Sequence, residues 1–141
     1  MAKPSAWWIA GRARLPAVMD WKLELVQVPV SDIDRAIAFY TEQAGFNLDH
    51  DHQVSDELRF VQLTPPGSGC SISMGPPTPM EPGSLQGLQL VVSDIEAAHA
   101  ELSGRGAEVG EIQDLPWGSF VFFSDPDGNG WAVQQSPGRH Q

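Results

Sequence analysis

An internal repeat constrains this chain more than any other feature. Val30-Ser31-Asp32-Ile33-Asp34-Arg35-Ala36 recurs as Val92-Ser93-Asp94-Ile95-Glu96-Ala97-Ala98, 62 positions on. A second pair follows in the same order. Phe60-Val61-Gln62-Leu63-Thr64-Pro65-Pro66-Gly67 corresponds to the segment from Phe120 to Gly128, 60 positions on. Two matched segments at nearly one offset mark a duplicated unit.

Each copy reads as β-α-β-β-β. Strands are expected at 23–30 and 86–92, each leading into a helix. Ser93-x-x-Glu96 reads as a capping box, and Ser31-x-x-Asp34 as its weaker counterpart. Ile33, Ala36, Ile37 and Tyr40 in one helix, and Ile95, Ala98 and Leu102 in the other, recur at helical spacing. Gly45 and Gly104/Gly106 are the stops. Further strands are expected at 47–53, 58–64 and 70–74, then at 107–113, 119–124 and 131–135. Pro65-Pro66-Gly67 and Asp125-Pro126-Asp127-Gly128-Asn129-Gly130 supply the last turn of each unit. The expected fold is therefore α+β, two βαβββ modules whose sheets form an incomplete barrel around one shared bowl. Module 1 spans 20–75 and module 2 spans 84–137. A Pro/Gly linker at 76–83 joins them into a single domain, 20–137. Residues 1–19 show no periodicity and read as a tail.

These motifs carry a resemblance. Pro-Val-Ser-Asp-Ile-Asp-Arg-Ala-Ile-Ala-Phe-Tyr from Pro29, and Phe-Ser-Asp-Pro-Asp-Gly-Asn-Gly-Trp from Phe123, resemble the vicinal-oxygen-chelate superfamily. That group contains glyoxalase I, bleomycin-resistance proteins and extradiol dioxygenases. The likeness covers about residues 21–135. It implies the fold, and leaves the reaction open because one fold hosts unrelated chemistries.

Strand alternation assigns the faces independently. Val26, Val28 and Val30 share an apolar face that belongs under the helix, which leaves Leu25 and Gln27 on the bowl. The second copy splits the same way and leaves Gln89 there, equivalent to Gln27. Extended to the other strands, the rule gives a lining of Leu25, Gln27, Phe60, Gln62, Ser71, Gln89, Phe120, Phe122, Ala132 and Gln134. Aromatic walls with neutral amides suit a small, partly aromatic or apolar ligand. Inward glutamines argue against a dry, filled core, because each buried amide needs partners.

The resemblance also implies where a metal would sit. Metal-using members place His, Glu or Gln at points that become Leu25, Gly87, Ser71 and Ala132. One hydroxyl among hydrocarbons cannot hold a divalent ion. No metal and no cofactor are therefore expected. His50 and His52 are the candidate acid–base groups, since imidazole titrates near neutrality. Three readings compete: a binding protein with a metal-free bowl; a metal-independent isomerase, epimerase or lyase; and a metal-dependent lyase or dioxygenase, for which ligands are lacking.

Bulk properties narrow the partners. The 141 residues carry a formal net charge of −10, which disfavours nucleic acid and anionic membranes. No apolar run approaches the roughly 18 residues of a membrane helix. A single cysteine, Cys70, rules out an internal disulfide and fits a reducing cytoplasm. A homodimer is expected, because duplicated sheets leave edges to pair.

Overall fold

The computed structural model describes residues 19–137. The expected tail lies outside them except for Met19, as does His140. Module 1 contains β1 (Leu25–Gln27), α1 (Ile33–Ala38) continued by a π-helical turn (Phe39–Gln43), β2 (Asn47–Gln53), β3 (Arg59–Thr64) and β4 (Ser71–Met74). Module 2 contains β5 (Leu88–Val91), α2 (Ile95–Gly104), β6 (Gln113–Leu115), β7 (Gly118–Ser124) and β8 (Gly130–Gln135). The sheets run β1-β4-β3-β2 and β5-β8-β7-β6. In each, the first and last strands of the module pair in parallel, and the other pairs are antiparallel. This is the expected α+β arrangement of two βαβββ modules. The sheets stay open and do not close into a barrel.

Both helices begin one residue later than the serine motifs indicate. The N-caps are Asp32 and Asp94, whose carboxylates accept from the backbone N–H of Arg35 and Ala97 at 3.1 Å. A carboxylate at that position satisfies an orphan N–H and favours the positive end of the helix. Ser31 is thereby free to bond elsewhere, and its hydroxyl donates to Asp127 of module 2 at 2.6 Å.

The helix ends differ between the copies. Helix α2 closes in a Schellman motif, with Ala107 N donating to Leu102 O and Gly106 N to Ser103 O. Gly106 supplies the required positive φ of 92°. Module 1 has one residue more between cap and glycine (Asp32 to Gly45, against Asp94 to Gly106), and the π turn absorbs it. Ala44 N there donates to Phe39 O, and Phe46 N donates to Tyr40 O. A single extra residue is the usual origin of such a turn.

The strand expected at 107–113 is displaced to Gln113–Leu115. The chain leaving the Schellman turn first buries Ala107 and packs Val109 and Ile112 against the core. Only the Gly110 N to Phe122 O bond ties this stretch to β7. At the N-terminus, β1 is trimmed to three residues, Leu25–Gln27, and Pro29, which has no N–H to donate, limits it on its C-terminal side.

One hydrophobic core joins the modules. Val61, Leu63, Ile72 and Met74 from the first sheet belong to the same cluster as Val121, Phe123, Trp131 and Val133 from the second. Aromatic edges make the junction. Tyr40 and Phe46 lie 5.8 and 5.4 Å from Trp131 between ring centroids, and Phe39 lies 6.1 Å from Phe123. The face of each sheet turned away from this core is the one that remains for a ligand.

Candidate functional site

Cross-strand pairing fixes which side chains share the open face of the first sheet, because directly paired residues project to the same side. Leu25 pairs with Ser71, Gln27 and Gln62 both pair with Ser73, and His52 pairs with Phe60. His50 pairs with Gln62. All these residues therefore lie on one face, opposite Val61, Leu63, Ile72 and Met74. A β-bulge between Leu48 and His50 makes this possible. Without it, His50 would share a face with Leu48, two residues earlier, on the core side.

This face is polar. Ser71 and Ser73 are buried in its floor. Gln62 Nε2 donates to Ser71 Oγ at 3.3 Å, and Ser71 Oγ lies 2.6 Å from Thr64 Oγ1. Thr64 also bonds the Asp49 carboxylate, which accepts from Asn47 Nδ2 as well. These bonds, Thr64 first, hold the Asp49 carboxyl below the usual carboxylate range. Gln27 Nε2 is engaged by Pro76 O at 2.8 Å. His50 and His52 are exposed at the strand edge, with ring centroids 5.5 Å apart. Asp51 projects the other way and is held by Arg59 through two 2.9 Å bonds; Arg59 also reaches Asp34 of α1 at 3.0 Å.

The equivalent face of the second sheet is aromatic. Gln89 and Phe122 pair with Ala132, Gln134 pairs with Val91 and Phe120, and Gln113 pairs with Phe120. The rings of Phe120 and Phe122 lie parallel within 5°, with centroids 6.0 Å apart. Phe120 is buried, whereas Phe122 is 44% and Val91 54% exposed. Gln134 links the face together: its Oε1 accepts from Gln89 Nε2 at 2.6 Å and its Nε2 donates to Trp117 O at 3.0 Å.

All ten residues expected to line the bowl therefore project from the two non-core faces, five on each sheet. The structure groups them as one polar and one aromatic set. Phe122 and Ala132 also border a cleft of about 880 Å3. That cleft opens between the π turn and the β7–β8 turn, and is further bordered by Phe39, Gln43, Gln86, Glu108 and Trp131. Strand alternation misses Gln43, which lies in the π turn, and Glu108, which falls in the strand expected at 107–113 but precedes the observed β6.

Pairing also settles the positions at which the resemblance implies metal ligands. Ala132 is opposite Gln89, and Ser73 is opposite Gln27, so Ser73 and not Ser71 is the equivalent of Ala132. The set becomes Leu25, Gly87, Ser73 and Ala132. It still offers one hydroxyl, so these residues do not fit a divalent ion. Among the described residues no three His, Cys, Asp or Glu side chains gather where they could hold a metal.

Known proteins share this geometry. Residues 22–133 match the model of the Glyoxalase/Bleomycin resistance protein/Dioxygenase superfamily. The chain belongs to this superfamily. It is 32% identical over 114 residues to YetH of Bacillus subtilis (strain 168), spanning 78% of this chain and 94% of YetH. Among solved structures it is similar to TnmS3, an antibiotic binding protein from Streptomyces sp. CB03234. That similarity has 39% identity and a TM-score of 0.76, over 84% of this chain and 98% of TnmS3. A superfamily member from Sphaerobacter thermophilus DSM 20745 is 31% identical, with a TM-score of 0.72, over 84% of this chain and all of that one (100%). Among the described residues no helix is long and apolar enough to cross a membrane.

Proposed function

We propose that this superfamily member is a binding protein that holds a small, partly aromatic or apolar molecule without a metal. One observation carries the reading: Phe122, parallel to the buried Phe120, is exposed at the border of a cleft of ligand size. The amides of Gln89 and Gln134 stand next to it to orient a polar edge. Leu25, Gln27, Phe60, Gln62 and Ser71 form the matching wall on the first sheet. The similarity to TnmS3, described as an antibiotic binding protein, supports the same reading. The protein acts as one domain, 20–137, in a homodimer in the cytoplasm. A second copy covers the exposed Val91, Phe122 and Leu25, which are otherwise left in water.

The test is a thermal-shift screen of aromatic metabolites and antibiotics, followed by calorimetry on hits. A ligand at about 100 times its Kd stabilises the fold by about 2.7 kcal/mol. Phe122→Ala and Gln89→Ala should each weaken binding, with sedimentation of the unliganded protein giving a dimer at micromolar concentration. Unchanged affinity in both variants would remove the aromatic face from the site.

A second reading has its own observation. His50 and His52 sit on an open face, where an imidazole can take a proton from a bound molecule. A metal-independent isomerase, epimerase or lyase would lose turnover in His50→Ala or His52→Ala while retaining ligand affinity.

A further inference from the structure

We propose that His50 and His52 chelate a borderline divalent transition-metal ion, such as Zn2+ or Ni2+, at the outer edge of the first sheet. The site shares the open face and Gln62 with the ligand-binding reading, but it lies away from the positions that the superfamily resemblance implies. Those positions fall on or beside β1, β4, β5 and β8, whereas the histidines stand on β2, the far edge strand.

Three observations carry the proposal. The bulge after Leu48 puts both imidazoles on one face, and both are exposed, so neither is committed to packing. Their ring centroids are 5.5 Å apart. Two imidazoles bound to one tetrahedral ion through nitrogens about 2.0–2.1 Å from it have centroids roughly 5 Å apart, so little more than ring rotation is needed. Opposite His50 lies Gln62, whose Nε2 is turned to Ser71, which leaves its carbonyl oxygen as a third donor.

Electrostatics favour a cation here. The chain carries a formal net charge of −10. Arg59, on the neighbouring strand β3, projects to the opposite face and is paired with Asp51 and Asp34. On the open face the Asp49 carboxylate adds negative charge beside His50. Imidazole nitrogen and amide oxygen suit Zn2+, Ni2+ or Cu2+ better than Ca2+ or Mg2+, which want oxygen alone. Two protein nitrogens leave coordination positions open for water.

The experiment is calorimetric titration of the full, untagged chain with ZnCl2 and separately NiCl2, with imidazole C–H resonances followed by NMR. One ion per chain is expected, with His50 and His52 resonances shifting together. His50→Gln and His52→Gln should each weaken binding by at least about tenfold, since losing a ligand costs no less than losing an outer-shell partner. Their far-UV circular dichroism should be unchanged, because both side chains are exposed. His99→Gln, Cys70→Ser and His140→Gln should bind as the parent does. No binding up to about 1 mM metal, weaker than about −4 kcal/mol, would overturn the proposal. So would binding that survives in both β2 variants. The thermal-shift screen with aromatic ligands reads out separately, so failure of one leaves the other standing.

Discussion

At the residue scale, the Asp125-Pro126-Asp127-Gly128-Asn129 turn does more than reverse the chain. Asp125 Oδ1 accepts from the backbone N–H groups of Asp127, Gly128 and Asn129 at 2.9–3.0 Å. Its Oδ2 accepts from Tyr40 Oη and Asn129 Nδ2, both at 2.8 Å. Trp131 Nε1 donates to Tyr40 Oη at 2.9 Å, and Asn129 Nδ2 reaches Pro29 O at 2.8 Å. The turn thus ties module 2 to module 1 through buried polar atoms. Tyr40→Phe strands an indole N–H and removes a donor from a buried carboxylate. It should cost about 1–3 kcal/mol by denaturant unfolding, with little change in the fold. Burial and the adjacent Asp125 also push the Tyr40 phenol far above its ordinary range. The folded state keeps that proton while the unfolded chain releases it above pH of about 10. Stability from this group is therefore complete below that pH and declines as pH rises past it, a slope Tyr40→Phe should lessen.

At the scale of elements, two glycines with similar backbones predict different outcomes. Gly106, at the end of α2, has φ of 92°, and an added Cβ would meet nothing within 4 Å. Gly83, at the end of the linker, has φ of 84°, but its Cβ would come within 2.0 Å of Asp127 O. Gly106→Ala should cost only the left-handed penalty of about 1–2 kcal/mol. Gly83→Ala should cost distinctly more, because the linker must shift and lose its Gly83 N to Pro29 O bond. Equal losses in urea melts would show that the linker is freer than this contact implies. The β2 bulge belongs to the same scale. Simple alternation puts His50 and His52 on the face of Leu48, and the extra residue at Asp49 reverses them. That phase depends on partner-strand pairing, so no local pattern in β2 announces it.

At the scale of the molecule, the junction of Phe39, Tyr40 and Phe46 with Phe123 and Trp131 makes the modules interdependent. Unfolding should be a single cooperative transition, coincident by circular dichroism and tryptophan fluorescence. Two resolved transitions would mean that the modules hold separate cores. The same junction buries the core sides of both sheets in one cluster and leaves their other faces open.

The repeat, the strand alternation and the Asp-Pro-Asp-Gly-Asn-Gly motif were enough to determine the βαβββ modules, the superfamily and the two-sided division of the strands other than β2 and β6. These are consequences of local periodicity and of turn chemistry, which act between near neighbours in the chain. The helix caps lay one residue from the serine motifs, and the strand after α2 lay several residues further on. Both shifts arose where a competing acceptor, the aspartate carboxylate, or an apolar contact outweighed the local signal. Tertiary structure alone decided the rest: that Ser73 is the partner position of Ala132, that one face is polar and the other aromatic, and that the histidines share the face of Phe60 and Gln62. Each of these depends on register between strands, and register is set by packing and pairing across the sheet.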